Sequence, residues 1–189
     1  MIHYRWFALL VILLSGTLFA QEDPKVLFES ASELYEAGDI DGAIEEAEWG
    51  LELLRQMKRE ATSSQFLDEI AGYTGSPLET NAAMGMTVME RTYSKDGKSI
   101  RVTLAGGMNS AMGGLGALAS MGMMGAGEKV RIQRRTGNAM TEGSNQKIMF
   151  TMKEAGMLTF ESSNVSMDEL KVFAEAFPIA ALDEASAGT

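Results

Sequence analysis

The sequence predicts an α+β protein. An N-terminal helical hairpin leads into a five- to six-stranded antiparallel sheet with a Gly/Met/Ala-rich insertion, and a C-terminal helix covers the sheet's apolar face. Three observations carry this reading. Apolar residues recur at helical spacing between Leu27 and Leu54. From Gly85 onward the period changes to two, with turn signals between segments. Near the end, Ser166-Met167-Asp168-Glu169 has the form of a capping box, with Ser at the N-cap and Glu three residues on. The expected divisions are a signal peptide at 1–20, a helical hairpin at 21–71 and a linker at 72–83. The sheet and its helix follow at 84–182, and a flexible tail at 183–189.

The first segment carries Arg5, then an apolar run from Trp6 to Phe19, then Ala20 before Gln21-Glu22-Asp23. A short basic region, an apolar core and a small residue at the cut form the layout of a secretory signal peptide. Cleavage after Ala20 leaves 169 residues, enough for one ordinary domain with an appendage. The chain has no Cys, which fits a bacterial periplasmic protein whose core suffices without disulfides.

Asp23 and Pro24 start the first helix, as N-cap and first helical residue. Leu27, Ala31 and Leu34 form its stripe, and Gly38-Asp39-Ile40-Asp41 breaks it. In the second helix Ile40, Ala43, Ile44, Ala47, Leu51 and Leu54 share one side, with Glu45, Glu46, Glu48 and Glu52 opposite. This helix is expected to run on through Arg55, Lys58 and Arg59 to near Ile70. The segment LFESASELYEAGDIDGAIEEAEWGLEL resembles one tetratricopeptide repeat, with Leu27, Ala31, Leu34, Gly38, Asp39 and Ala43 at that family's spacing. It departs from the pattern at Ala47 and Gly50, and no proline follows Leu53. The resemblance covers about 27 of 189 residues. It implies a peptide-binding adaptor with a possible peptide partner at the hairpin. Such repeats stack in arrays, because one unit cannot bury its own face.

The sheet begins with 86–93 and 98–105 around Lys95-Asp96-Gly97, a hairpin signal. Further strands are expected at 128–135, 138–142, 146–153 and 156–162, with a tight turn at Glu154-Ala155-Gly156. Alternation places Val88, Ile100, Val102, Leu104, Val130, Ile132, Ile148, Phe150, Met152, Leu158 and Phe160 on one face. Arg91, Tyr93, Arg101, Lys129, Arg131, Arg135, Lys147 and Lys153 fall on the other. A one-sided antiparallel sheet needs a helix over its apolar face. Met167, Leu170, Phe173 and Phe177 supply the stripe for one, and Pro178 stops it.

The insertion, residues 106–127, holds 22 residues without a charge, among them eight Gly, five Met and four Ala. It has three readings. It is too weakly apolar to read as a membrane span. As a packed helix it would align Met112, Leu115, Ala119 and Met123, against a cost of roughly 1 kcal/mol for each interior glycine. As a mobile loop it would be an apolar flap.

Charge and chemistry narrow the function. Residues 21–90 carry 4 basic and 16 acidic side chains, 91–153 carry 10 and 3, and 154–189 carry 1 and 7. A basic middle between acidic ends suggests an anionic partner or internal complementarity. The one His, His3, lies in the signal peptide. The mature chain then has no imidazole base, no thiol nucleophile and no usual zinc ligand. Neither Lys153 with Glu154 nor Ser162-Ser163 with Lys171 has a specific catalytic spacing. An enzyme is therefore not expected, and neither a cofactor nor a metal is expected. Methionine groups such as Met121/Met123/Met124 and Met149/Met152 leave a Cu(I) carrier as an alternative.

The favoured expectation is an exported, non-catalytic binding protein of the cell envelope. Its partner would be an anionic membrane surface or an acidic protein, and not nucleic acid. The expected lipid- or anion-binding residues are Arg101, Lys129, Arg131, Arg135 and Lys147, with Met112, Leu115 and Met123 supplying apolar contact.

Overall fold

The computed structural model describes residues 23–83, 86–106, 127–153 and 156–187. The chain forms two compact units that divide between Leu53 and Leu54, inside the second helix.

The first unit holds α1 (Pro24–Glu36) and the start of α2 (Ile40–Ser63). Asp23 caps α1 by accepting the Lys25 N–H at 3.0 Å, and Pro24 opens it. Between the helices Gly38 has φ +83°, a left-handed conformation that glycine adopts without steric cost. Leu27 and Ala31 of α1 are buried. Gly50 of α2 lies against Leu27 and Phe28, and a Cβ there would sit 3.1 Å from the Phe28 ring. The Ala43–Gly50 side of α2 therefore meets α1, and Ile40, Ile44 and Leu51 remain exposed. The second helix ends at Ser63, before the expected Ile70.

Among the described residues, the second unit holds the end of α2, a nine-stranded antiparallel sheet and two further helices. Its strands are β1 (Glu69–Ile70), β2 (Tyr73–Gly75), β3 (Glu79–Ala83), β4 (Met86–Lys95), β5 (Lys98–Gly106), β6 (Glu128–Ile132), β7 (Arg135–Glu142), β8 (Asn145–Thr151) and β9 (Met157–Ser162). The order is β1-β2-β4-β5-β9-β8-β7-β6, with β3 also paired to β4. The expected linker at 72–83 is thus corrected: it carries β2 and β3. These are short, polar strands with no apolar alternation to reveal them.

The helices α3 (Met167–Ala176) and α4 (Ile179–Ala187) bring Leu170, Phe173, Phe177, Ile179 and Leu182 into the core. They pack with Ile100, Val102, Ile148, Phe150, Leu158 and Phe160 of the sheet. The Phe160 ring meets those of Phe173 and Phe177 edge to face, at centroid distances of 6.2 and 5.3 Å. Ser166 caps α3 by accepting the Glu169 N–H. The Glu169 carboxylate does not complete the capping box: Tyr73 and Lys98 take it at 2.7 and 2.6 Å.

Three further expectations are corrected. In β4 the core-facing residues are Met89, Arg91 and Tyr93, opposite Leu104, Val102 and Ile100, so Val88 faces the other way. The run 128–135 is not one strand. Gln133 and Arg134 turn with φ +49° and +65°, which puts Arg135 opposite Ile132 on the core face. Asp183 to Ala187, expected as a tail, forms the end of α4, and Asp183 is fully buried.

Candidate functional site

The side of the sheet away from α3 and α4 carries Arg101, Lys129, Arg131 and Lys147 of the expected basic face. The register sets Thr92, Arg101, Glu161, Lys147 and Met140 in one row across β4, β5, β9, β8 and β7. A second row holds Glu90, Thr103, Thr159, Met149, Asn138 and Lys129. Two acids stand within this array. Arg101 pairs with Glu90 at 3.2 Å, and Glu90 also accepts from Thr103 at 3.2 Å. Lys147 lies 3.7 Å from Glu161, whose other oxygen accepts from Asn145 at 2.5 Å. A cleft of about 230 Å³ opens here, lined by Thr92, Ser99, Arg101, Asn145, Glu161, Ser162 and Ser163.

The five expected basic residues therefore separate into three kinds. Arg101 and Lys147 are on the outer face but each has a carboxylate neighbour. Lys129 and Arg131 are exposed on β6, the last strand of the sheet path, and no ion pair forms at either among the described residues. Arg135 is not part of this face. It turns inward to form an ion pair with buried Asp183. Met112, Leu115 and Met123 lie outside the described residues. Glu90 and Glu161 are the residues that counting charge by segment missed. For Glu161 the period-two phase opposite to Leu158 and Phe160 was the available signal, whereas for Glu90 the phase shared with Val88 pointed to the wrong face.

Arg91, also expected outside, runs along the core face. Its guanidinium donates to the carbonyls of Phe66 and Ser76 and to Asp68 at 2.6 Å. It thus ties the segment before β1 and the end of β2 to β4. A side chain at Gly75 would collide with it.

A further titratable cluster is Tyr73, Glu169 and Lys98. Burial, and then the hydrogen bond to Glu169, push the Tyr73 hydroxyl up to about 12. The hydrogen bonds from Lys98 and Tyr73 hold the Glu169 carboxyl below the usual carboxylate range. The result is a protonated hydroxyl beside a carboxylate with both oxygens engaged, an arrangement that joins α3 to β2 and β5. Among the described residues no three His, Cys, Asp or Glu side chains gather as a metal site. Met149 and Met152 do not converge: Met152 is in the core cluster, whereas Met149 lies in the outer row. A second cleft, of about 400 Å³, is lined by Gly127, Glu128, Ala139, Met140, Thr141, Glu142 and Met167.

No family model, curated protein or solved structure matches the chain. The likeness to a tetratricopeptide repeat is thus confined to the pattern of one helical hairpin.

Proposed function

We propose that this is an exported, non-catalytic binding protein of the cell envelope that touches an anionic or lipidic surface through the β6 edge of its sheet. The observation that carries the reading is the pair Lys129 and Arg131. Both are exposed on the strand that follows the uncharged 106–127 stretch, with no counter-ion among the described residues. An uncharged Met/Leu/Gly/Ala stretch beside free cations suits a surface where apolar burial and charge attraction add. Arg101 and Lys147 contribute less, because Glu90 and Glu161 offset them.

The test is co-sedimentation of the mature protein with vesicles of phosphatidylglycerol and of phosphatidylcholine. Binding to the anionic vesicles is expected to exceed binding to the neutral ones, and to weaken with salt as screening shortens to about 8–10 Å. Each cation near an anionic surface is worth about 1 kcal/mol, so Lys129→Ala with Arg131→Ala should weaken binding roughly 30-fold. The same change at Arg101 and Lys147 should do less. Equal binding to both vesicle types, or no binding, would remove this reading.

A further inference from the structure

The first unit carries a surface that the anionic-contact reading does not use. In α2, Ile40, Ile44, Ala47 and Leu51 recur at spacings of four, three and four, which places them on one side of the helix. Ile40 is 50% exposed, Ile44 52% and Leu51 41%. The helix turns its small-residue side, with Ala43 and Gly50, toward α1 and leaves its large aliphatic side outward. That is the reverse of an ordinary amphipathic helix, and a contiguous exposed apolar stripe marks an interaction surface.

Charge selects the occupant. Residues 23–53 contain ten acidic side chains and one basic one, Lys25. Asp41, Glu45 and Glu48 are exposed on the same helix. Two copies pressed stripe to stripe would bring like charges together in a partly desolvated contact, and such pairing is penalised. A cationic partner meets no such penalty. Helices dock along an apolar stripe by matching i, i+3, i+4 and i+7 anchors.

We propose that the Ile40–Leu51 stripe docks a basic amphipathic helix of a partner protein, with apolar anchors on the stripe and Lys or Arg against the flanking carboxylates. This surface is independent of Lys129 and Arg131, so either proposal can fail alone.

The experiment is isothermal titration calorimetry on the mature protein with a Leu/Lys peptide that has leucine at i, i+3, i+4 and i+7. A Leu/Glu peptide of the same pattern serves as control. The Leu/Lys peptide is expected to bind and the Leu/Glu peptide not to. Ile44→Ser with Leu51→Ser leaves the charge unchanged and alters only exposed positions, so circular dichroism should be preserved while binding falls at least tenfold. Lys129→Ala with Arg131→Ala should leave peptide binding unchanged. Three results would overturn the proposal: equal binding of both peptides, equal binding to the serine variant, or a stable dimer in sedimentation that the serine variant abolishes. The first would remove the role of charge and the second the role of the stripe. The third would make the stripe a contact between copies.

Discussion

Asp183 sits in a stretch of small residues, yet both of its carboxylate oxygens are engaged. Oδ1 accepts the Lys153 N–H at 2.7 Å, and Oδ2 meets the Arg135 guanidinium as an ion pair. Removing one partner of a buried pair leaves the other charge desolvated, at a cost of about 3–5 kcal/mol. Arg135 keeps 23% of its side chain exposed, so part of its charge would rehydrate. Asp183→Ala is therefore expected to cost about 3 kcal/mol in urea unfolding, and Asp183→Asn less, because the amide oxygen still accepts from Lys153. A loss under about 1 kcal/mol for the alanine variant would show that the pair is not structural. Neither partner was legible in the sequence. Arg135 reads as the end of a strand from Glu128 because Gln133-Arg134 lacks the glycine or asparagine that usually marks such a turn. The Gln133 side chain shows what holds the turn. It donates to the carbonyls of Glu175 and Phe177, each at 2.7 Å, and accepts the Ala180 N–H at 3.3 Å. These are contacts across more than 40 residues, beyond the reach of local propensity.

Tyr73 and Tyr93 give a pH signature. Burial pushes both up to about 12, in Tyr93 against the opposing pull of Arg91. In the unfolded chain they return to about 10. Between pH 10 and 12 the folded state therefore holds protons that the unfolded state has released. The stability linked to these groups is whole below pH 10 and is lost as pH rises through 12. Alkaline titration followed by tyrosinate absorbance, with Tyr73→Phe and Tyr93→Phe to assign the signals, should find both hydroxyls ionising only as the fold is lost. Ionisation near pH 10 in the intact fold would contradict the burial of these rings.

The strands differ in how plainly their faces could be read. In β5, β8 and β9 one phase is aliphatic or aromatic and the other mostly polar, Met149 and Met157 apart, and the core residues Ile100, Val102, Ile148, Phe150, Leu158 and Phe160 follow the first. In β4 two phases compete. Val88 argues for one and Met89 with Tyr93 for the other, while the charge of Arg91 points the wrong way. The tie is broken only by Phe66, Ser76 and Asp68, which satisfy the Arg91 guanidinium along the core face. Packing at β7 and β8 can be tested directly. Phe150→Ala should cost about 3–5 kcal/mol, since the ring is 1% exposed. A Cβ on Gly137 would lie 2.7 Å from the Met149 carbonyl and from the Phe150 ring. A backbone carbonyl in a sheet has little room to retreat, so Gly137→Ala should cost about 1–3 kcal/mol. Lys147→Ala, on the outer face beside Glu161, should stay within about 1 kcal/mol. Chemical denaturation of the three variants checks the ranking, and a costly Lys147→Ala with a neutral Phe150→Ala would invert the faces.

The two units differ in what they bury, and this sets their expected stability. Leu27 and Ala31 are the buried hydrophobic residues of the hairpin, whereas the sheet unit holds a continuous core from Phe66 to Leu182. The hairpin was readable because Asp23-Pro24 and Gly38 mark its ends locally. Which side of α2 stays exposed was not, because an aliphatic stripe reads as core until its neighbours are known. A 13-residue helix such as α1 is marginal alone, and before Leu53 the residue that α2 buries is Gly50. Local opening free energies follow buried apolar contact. Amide exchange in α1 and over Ile40–Leu53 is therefore expected to run orders of magnitude faster than in β5, β8 and β9. Exchange followed by mass spectrometry checks this. A hairpin as protected as β5 would mean that it opens only with the whole fold, and that its stripe already has a stabilising contact. A saturating Leu/Lys peptide should slow exchange in the hairpin and leave the sheet strands unchanged, since a ligand stabilises only the opening that abolishes its site. Slowing in β8 and β9 instead would place the peptide on the sheet unit and remove the hairpin stripe as its site.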